Sequence, residues 1–258
     1  MTPCETDFSQ LERVYPCQNL QRPATIRIGL VQLATDYTLE NDWHQLVGEE
    51  VELYSTRMPF CSELTPEKLC SMKEGIGKAA TLVADGLELD VMAYGCTAAS
   101  MLIGDEAISK QLTVTRPELP ATNPWLAAKT ALRRLNIKKL AVLTPYTSEV
   151  NKPLFQALEQ EGFTIVAFGA FHLNKDTDIP SVDPESIQHA LSNMLENTDA
   201  DGIFLSCTNL KVMQELDKFE QQFKRPFVSS NQALFWHALR LSGSQRCFDG
   251  YGKLLQEP

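Results

Sequence analysis

Leu89-Asp90-Val91-Met92-Ala93-Tyr94-Gly95-Cys96-Thr97 and, 111 residues later, Ala200-Asp201-Gly202-Ile203-Phe204-Leu205-Ser206-Cys207-Thr208 are one pattern written twice. In each copy an aspartate opens a short apolar run and a Cys-Thr pair closes it. The run between is almost continuously apolar, which fits a strand buried on both faces rather than a half-exposed one. The flanking segments repeat as well: Glu52-Leu53 matches Thr164-Ile165, and Gly29-Leu30 matches Ala141-Val142. Self-similarity over such a period marks a duplicated structural unit.

Reading outward, strands are expected over 26–33, 52–55, 89–94, 140–143, 163–168 and 202–205. Helices are expected from Thr65-Pro66 through Val83 and over 125–135, 148–161, 184–196 and 232–241. Thr65 is a suitable cap, Pro66 suits the first turn, and Gly162 ends a helix. Strands that alternate with helices predict an α/β fold: two similar, doubly wound parallel-sheet lobes related by a pseudo-two-fold axis. Residues 1–23 read as an N-terminal tail, 24–121 as the first lobe and 122–231 as the second. The C-terminal segment 232–258, with its helix, is expected to return to the first lobe. Ligands bind such sheets beyond the carboxyl ends of the strands. Both Cys-Thr pairs are therefore expected at one cleft between the lobes, each running into a helix.

The chain has 258 residues, 43% hydrophobic and 22% charged, enough to fill sizeable cores. Its formal net charge of −10 argues against nucleic acid as a partner, because phosphate binding needs clustered Lys and Arg. No apolar run approaches the length of a membrane span, and the acidic N-terminus lacks the apolar core of a secretion signal. The seven cysteines are odd in number and show no CxxC or metal spacing, so free thiols in a reducing cytoplasm are expected. His44, His172, His189 and His237 show no metal spacing and read as surface or packing residues. Neither GxGxxG nor GxxxxGK[ST] is present. No metal and no cofactor are predicted, and homo-oligomerisation is left open.

Cys96 and Cys207 carry the chemistry that remains. A cysteine where a strand ends and a helix begins meets free N–H groups that favour a thiolate and lower its pKa. The same donors would hold a substrate carboxylate. A single such cysteine is more simply a buried core residue, but repetition at matched sites reverses that preference. Cys4, Cys17, Cys61, Cys70 and Cys247 have no matched context. Thr97 and Thr208 follow the two cysteines and offer N–H and hydroxyl donors for an oxyanion, with helix capping as the alternative. Tyr146, after Thr144-Pro145, offers a phenolic hydrogen bond or packs as a buried aromatic.

Several segments taken together resemble the aspartate/glutamate racemase superfamily, in the branch of maleate cis–trans isomerase, arylmalonate decarboxylase and the ectoine-utilisation proteins. They are Gly29-Leu30-Val31 to Thr35-Asp36-Tyr37-Thr38, Tyr94-Gly95-Cys96-Thr97, Leu143-Thr144-Pro145-Tyr146, Leu205-Ser206-Cys207-Thr208-Asn209 and Val228-Ser229-Ser230-Asn231-Gln232-Ala233. The resemblance spans about 25–243. It implies an isomerase or racemase that uses two cysteines and no cofactor on a small carboxylate or amino-acid-like substrate. In the maleate isomerases the cysteine matching Cys96 adds to the double bond, and the one matching Cys207 transfers a proton. Arylmalonate decarboxylase retains only the second cysteine, so Cys96 argues against malonate-type decarboxylation, the alternative reaction. A two-lobe binding protein with structural cysteines is the alternative from another class. Tyr146 matches a tyrosine that contacts substrate in this branch.

Asp36 departs from the maleate pattern, where an asparagine holds a substrate carboxylate. A carboxylate there would repel a dicarboxylate and could pair with an amino group or accept a hydroxyl proton, which suits the ectoine-utilisation branch better than a strict maleate isomerase. The loop bearing Asn174 and Asp176 is expected to hold a second such change. For Asp36 the competing reading is a helix cap or turn residue.

Overall fold

The computed structural model describes residues 8–18 and 25–258. The first of two four-stranded sheets contains β1 (Ile26–Leu33), β2 (Val51–Met58), β3 (Val91–Gly95) and β4 (Ala121–Thr122), ordered β2-β1-β3-β4. The second contains β5 (Lys139–Thr144), β6 (Thr164–Ala170), β7 (Gly202–Leu205) and β8 (Phe227–Ser229), ordered β6-β5-β7-β8. Every ladder is parallel. The registers repeat too: Leu30 lies beside Ala93 in one sheet as Val142 lies beside Phe204 in the other. This is the α/β duplication that the repeated pattern predicts. The central strands β3 and β7 are buried along their whole length, which explains their unbroken apolar runs.

The repeated aspartates have a structural task. Asp90 Oδ2 accepts the Arg27 N–H at 2.7 Å, and Asp201 Oδ2 accepts the Lys139 N–H at 2.8 Å and the Lys138 N–H at 3.1 Å. Each carboxylate thus closes the start of its neighbouring strand, β1 or β5. Each aspartate N–H also donates to the facing carbonyl, Arg27 O or Lys139 O.

Helix Pro124–Arg134 joins the sheets, with Asn123 Oδ1 accepting the Leu126 N–H at its start. Helix Ser230–Leu241 follows β8, packs along Pro124–Arg134 and reaches β3 and β4 of the first sheet, whereas the segment beyond it lies on the second lobe: the Gly252 N–H donates to Asp217 Oδ1 at 2.9 Å and the Lys253 N–H to Glu220 Oε2 at 2.8 Å, both on helix Leu216–Phe223. Elsewhere the chain differs from expectation. The helix expected from Pro66 to Val83 is two helices, Pro66–Ser71 and Lys73–Ala80, that meet at Met72. Strands β4 and β8, of two and three residues, are too short for a periodic signal. Of the tail read over 1–23, residues 1–7, with Cys4, and 19–23 lie outside the described residues, as does residue 24 at the expected start of the first lobe. Residues 8–18 hold the one-turn helix Phe8–Leu11 and are otherwise irregular. Among the described residues no helix is long and apolar enough to cross a membrane.

Candidate active site

Cys96 follows β3 and occupies the N-cap of helix Thr97–Ile103 in extended backbone geometry. Gly95 before it admits a close neighbour: a Cβ there would stand 2.4 Å from Leu39 Cδ2, on helix Leu39–His44. Cys207 follows β7 but does not start an α-helix. The chain turns through 208–210 and a short 3-10 turn, Met213–Glu215, before helix Leu216–Phe223. The helix start expected at Cys207 is therefore absent, and in its place the Asn209 N–H reaches Cys207 Sγ at 3.4 Å. Both thiols are free and nearly enclosed, with Cys96 6% and Cys207 5% exposed.

The two strand ends meet through one side chain. Thr97 Oγ1 donates to Ser230 Oγ at 2.8 Å, and the Cys207 N–H donates to the same oxygen at 3.1 Å. Tyr146 is buried and held from below: Thr144 Oγ1 accepts its N–H at 3.2 Å, and Asn151 Nδ2 donates to its carbonyl at 2.7 Å. Its phenol faces Cys207 closely enough to stabilise that thiolate. Asp36 and Asp176 complete the cluster. Thr35 Oγ1 donates to Asp176 Oδ2 at 2.5 Å, while Asn209 Nδ2 donates to Asp176 O at 2.9 Å and Thr35 O at 3.0 Å. Asp36 Oδ1 accepts the Thr38 and Leu39 N–H groups, each at 2.9 Å, and so caps helix Leu39–His44. Its other oxygen, Oδ2, is buried without a hydrogen bond.

Charge is scarce here because solvent is excluded. Burial raises the Cys96 thiol above its ordinary range. The Ala99 and Ala98 N–H groups offset this only in part, and the Asp176 and Asp36 charges add to it. Burial and Asp176 likewise push Cys207 well above the usual thiol range, against the Asn209 N–H and Tyr146. The lowered thiol pKa expected from helix N-termini is therefore overturned in the enclosed site, because desolvation outweighs the few N–H groups present. Asp176 is raised to about 7, by burial first and by the nearby Asp36 charge. Asp36 is raised by burial too. Thr208 stands near and offsets part of that rise without meeting Oδ2 at hydrogen-bond geometry. Arg57 also offsets it, but its guanidinium is engaged by Asp36 O at 2.6 Å and Glu40 Oε2 at 2.7 Å.

The structure thus brings together Cys96, Cys207, Asp36, Thr97, Tyr146, Thr208 and Asp176. Asn174 is not among them: it is exposed, and its carbonyl accepts the Leu64 N–H at 3.0 Å at the rim. Lys175 beside it is exposed too, and the chain turns inward only at Asp176, whose N–H donates to Ser62 O at 2.8 Å where the 3-10 turn Asp176–Ser181 begins.

Residues 62–255 match the arylmalonate decarboxylase family, three-quarters of the chain and both strand-end cysteines included. The chain belongs to that family. A maleate isomerase of Nocardia farcinica is 26% identical to it over 243 residues, covering 90% of this chain and 96% of the relative. The arylmalonate decarboxylase of Bordetella bronchiseptica is 31% identical over 156 residues, covering 58% of this chain and 65% of that one. Among solved structures, a Nocardia farcinica maleate cis–trans isomerase mutant with a covalently bound succinylcysteine intermediate is similar with a TM-score of 0.82 and 25% identity. That match covers 90% of this chain and 98% of the other. The maleate isomerase of Pseudomonas putida S16 with maleate, at 22% identity, shares the fold with a TM-score of 0.81, over 90% and 98% of the two chains.

In this arylmalonate decarboxylase family member, the sequence reading missed residues that tie the cluster together. Asn209 also accepts the Tyr37 N–H at 2.8 Å, and its carbonyl accepts Thr38 Oγ1 at 2.9 Å. Asn231 Nδ2 donates to Thr208 O at 2.8 Å and Asp42 Oδ2 at 2.7 Å. Asn209, Ser230 and Asn231 lie in segments that carried the resemblance. Only their partners, 23 to 189 residues away, show what they do.

Proposed function

We propose that this chain is a cofactor-independent isomerase that uses Cys96 and Cys207 on a small carboxylate. The observation that carries this is the Thr97–Ser230–Cys207 bridge, which joins the ends of β3 and β7 so that both thiols border one buried cluster. The succinylcysteine held by the Nocardia farcinica relative supports a covalent route. In that route one thiolate, assigned to Cys96, forms a C–S bond to an alkene carbon, and the displaced π pair moves onto the neighbouring carbon and its carboxylate. Rotation about the new single bond and return of the pair expel the thiolate and leave the other isomer. Cys207 lends and recovers a proton at the carbanion.

Asp36 and Asp176 point to a substrate that carries an amino or hydroxyl group beside its carboxylate, as the ectoine-utilisation reading expects. An entering dianion would add charge to a cluster that already keeps its acids partly protonated, whereas an ammonium would relieve it. Free thiols support a reducing, cytoplasmic setting.

The test is turnover of a panel of dicarboxylates, amino dicarboxylates and diamino acids, followed by proton NMR in deuterated water. Isomerisation shows as a new alkene signal and racemisation as exchange without net conversion. Cys96→Ser should lower turnover by about 10²–10⁴-fold, since in the same enclosure a serine hydroxyl gives up its proton far less readily than a thiol and is the poorer leaving group, with Cys207→Ser severe but less complete. Equal, mild losses would sink covalent catalysis.

A further inference from the structure

Ser230 has no task within its own helix. The first-turn N–H groups are served by Ser229, whose Oγ accepts the Gln232 N–H at 3.2 Å, while Gln232 Oε1 accepts the Ser229 N–H at 3.3 Å. Ser230 is fully buried, and its hydroxyl is spent on the strand ends of the two sheets, Thr97 at one and Cys207 at the other. Each hydroxyl of the Thr97–Ser230 pair brings one proton and two acceptor positions. One proton joins the two oxygens, and the Cys207 N–H fills a further lone pair. The second hydroxyl proton has no acceptor among the described residues, and it lies between the residue after Cys96 and the backbone of Cys207.

We propose that Ser230 is a positioning residue of the two-thiol site, holding the Cys207 backbone against Thr97 and keeping one hydroxyl proton of that pair for negative charge developing between the thiols. This rests on the isomerase reading of the same site. The donor matters most as charge builds on the substrate carboxylate, and it also favours the Cys207 thiolate. Its loss should therefore fall on kcat and on thiol reactivity rather than on KM.

The experiment compares the full chain with Ser230→Ala and Ser230→Thr, the latter retaining the hydroxyl. For the substrate identified in the panel, Ser230→Ala should lower kcat by about 100-fold, with KM changed less than about threefold, and Ser230→Thr should recover most of the loss. In parallel, iodoacetamide alkylation of Cys207 is followed against pH by peptide mass spectrometry. The midpoint should rise by at least about half a pH unit in Ser230→Ala and stay put in Ser230→Thr. A kcat and a midpoint both equal to wild type in Ser230→Ala overturn the proposal. Equal losses in both variants with a shared fall in melting temperature also overturn it, since packing alone then explains Ser230. The two readings fail separately: a wild type inert on the whole panel removes the isomerase reading, while the alkylation midpoint still decides the role of Ser230.

Discussion

Asp36 caps a helix with one oxygen and leaves the other free for the substrate role proposed for it. Through Oδ1 it caps helix Leu39–His44, and through Oδ2 it leaves an unpaired oxygen in the thiol cluster. The capping reading and the site reading were competitors in the sequence, yet a carboxylate has two oxygens and the fold separates them. Asp36→Asn keeps an oxygen for the Thr38 and Leu39 N–H groups and turns the other end into a donor. Maleate should then bind more tightly by about 1–3 kcal/mol, the usual size for relieving an unpaired buried polar group. Maleate affinity and turnover of the two proteins check this. If wild type already turns over maleate efficiently and Asp36→Asn changes nothing, Asp36 is a cap alone.

At the scale of elements, the aspartate that opens each repeat anchors a strand at the edge opposite the thiols. Asp90 and Asp201 take main-chain N–H groups at the starts of β1 and β5, at solvent-exposed positions. Alanine at either should cost at most about 1 kcal/mol, because water competes for the freed donors. The effects should add within about 0.5 kcal/mol, since the sheets have separate anchors. Turnover should be unchanged, because neither residue touches the cluster. Urea unfolding of the single and double variants measures the sum. A coupling well above that margin would show that the two anchors are not independent.

Across the whole molecule, the enclosed acids set how stability follows pH. Asp176 is raised to about 7 and Asp42 to about 6, both chiefly by burial, from an ordinary value near 3.8. Between the unfolded and folded values the native state holds more protons, so their contribution is present at low pH and is lost as pH rises through about 7. His237, half-buried beside Thr122, is lowered to about 4 by that desolvation and acts oppositely. Its contribution is present above about 6.5 and lost as pH falls through 4. The two windows overlap, but two acids stand against one histidine, so these groups together should lower wild-type stability by about 1.4 kcal/mol per pH unit between pH 4 and 6. Asp176→Asn keeps an acceptor for Thr35 and removes the cost of ionising there. It should be more stable than wild type at pH 8 by on the order of 2–4 kcal/mol, with the gain shrinking towards pH 5. Urea titrations at both pH values check this, and a gain independent of pH would contradict the linkage.

The sequence by itself determined the duplicated α/β architecture and the strand ends at which both cysteines lie. These follow from short-range patterns: apolar runs, the Thr65 cap, and a repeat that copies a strand together with its closing Cys-Thr pair. Only the tertiary structure decided that Cys207 ends in a turn, that Asn174 faces water, and that Ser230 and Asn209 join segments distant along the chain. It also decided the sign of the thiol shifts. A helix N-terminus is a local feature visible in a string of residues, but desolvation depends on everything packed around the sulfur. In this enclosed cluster the second effect is the larger.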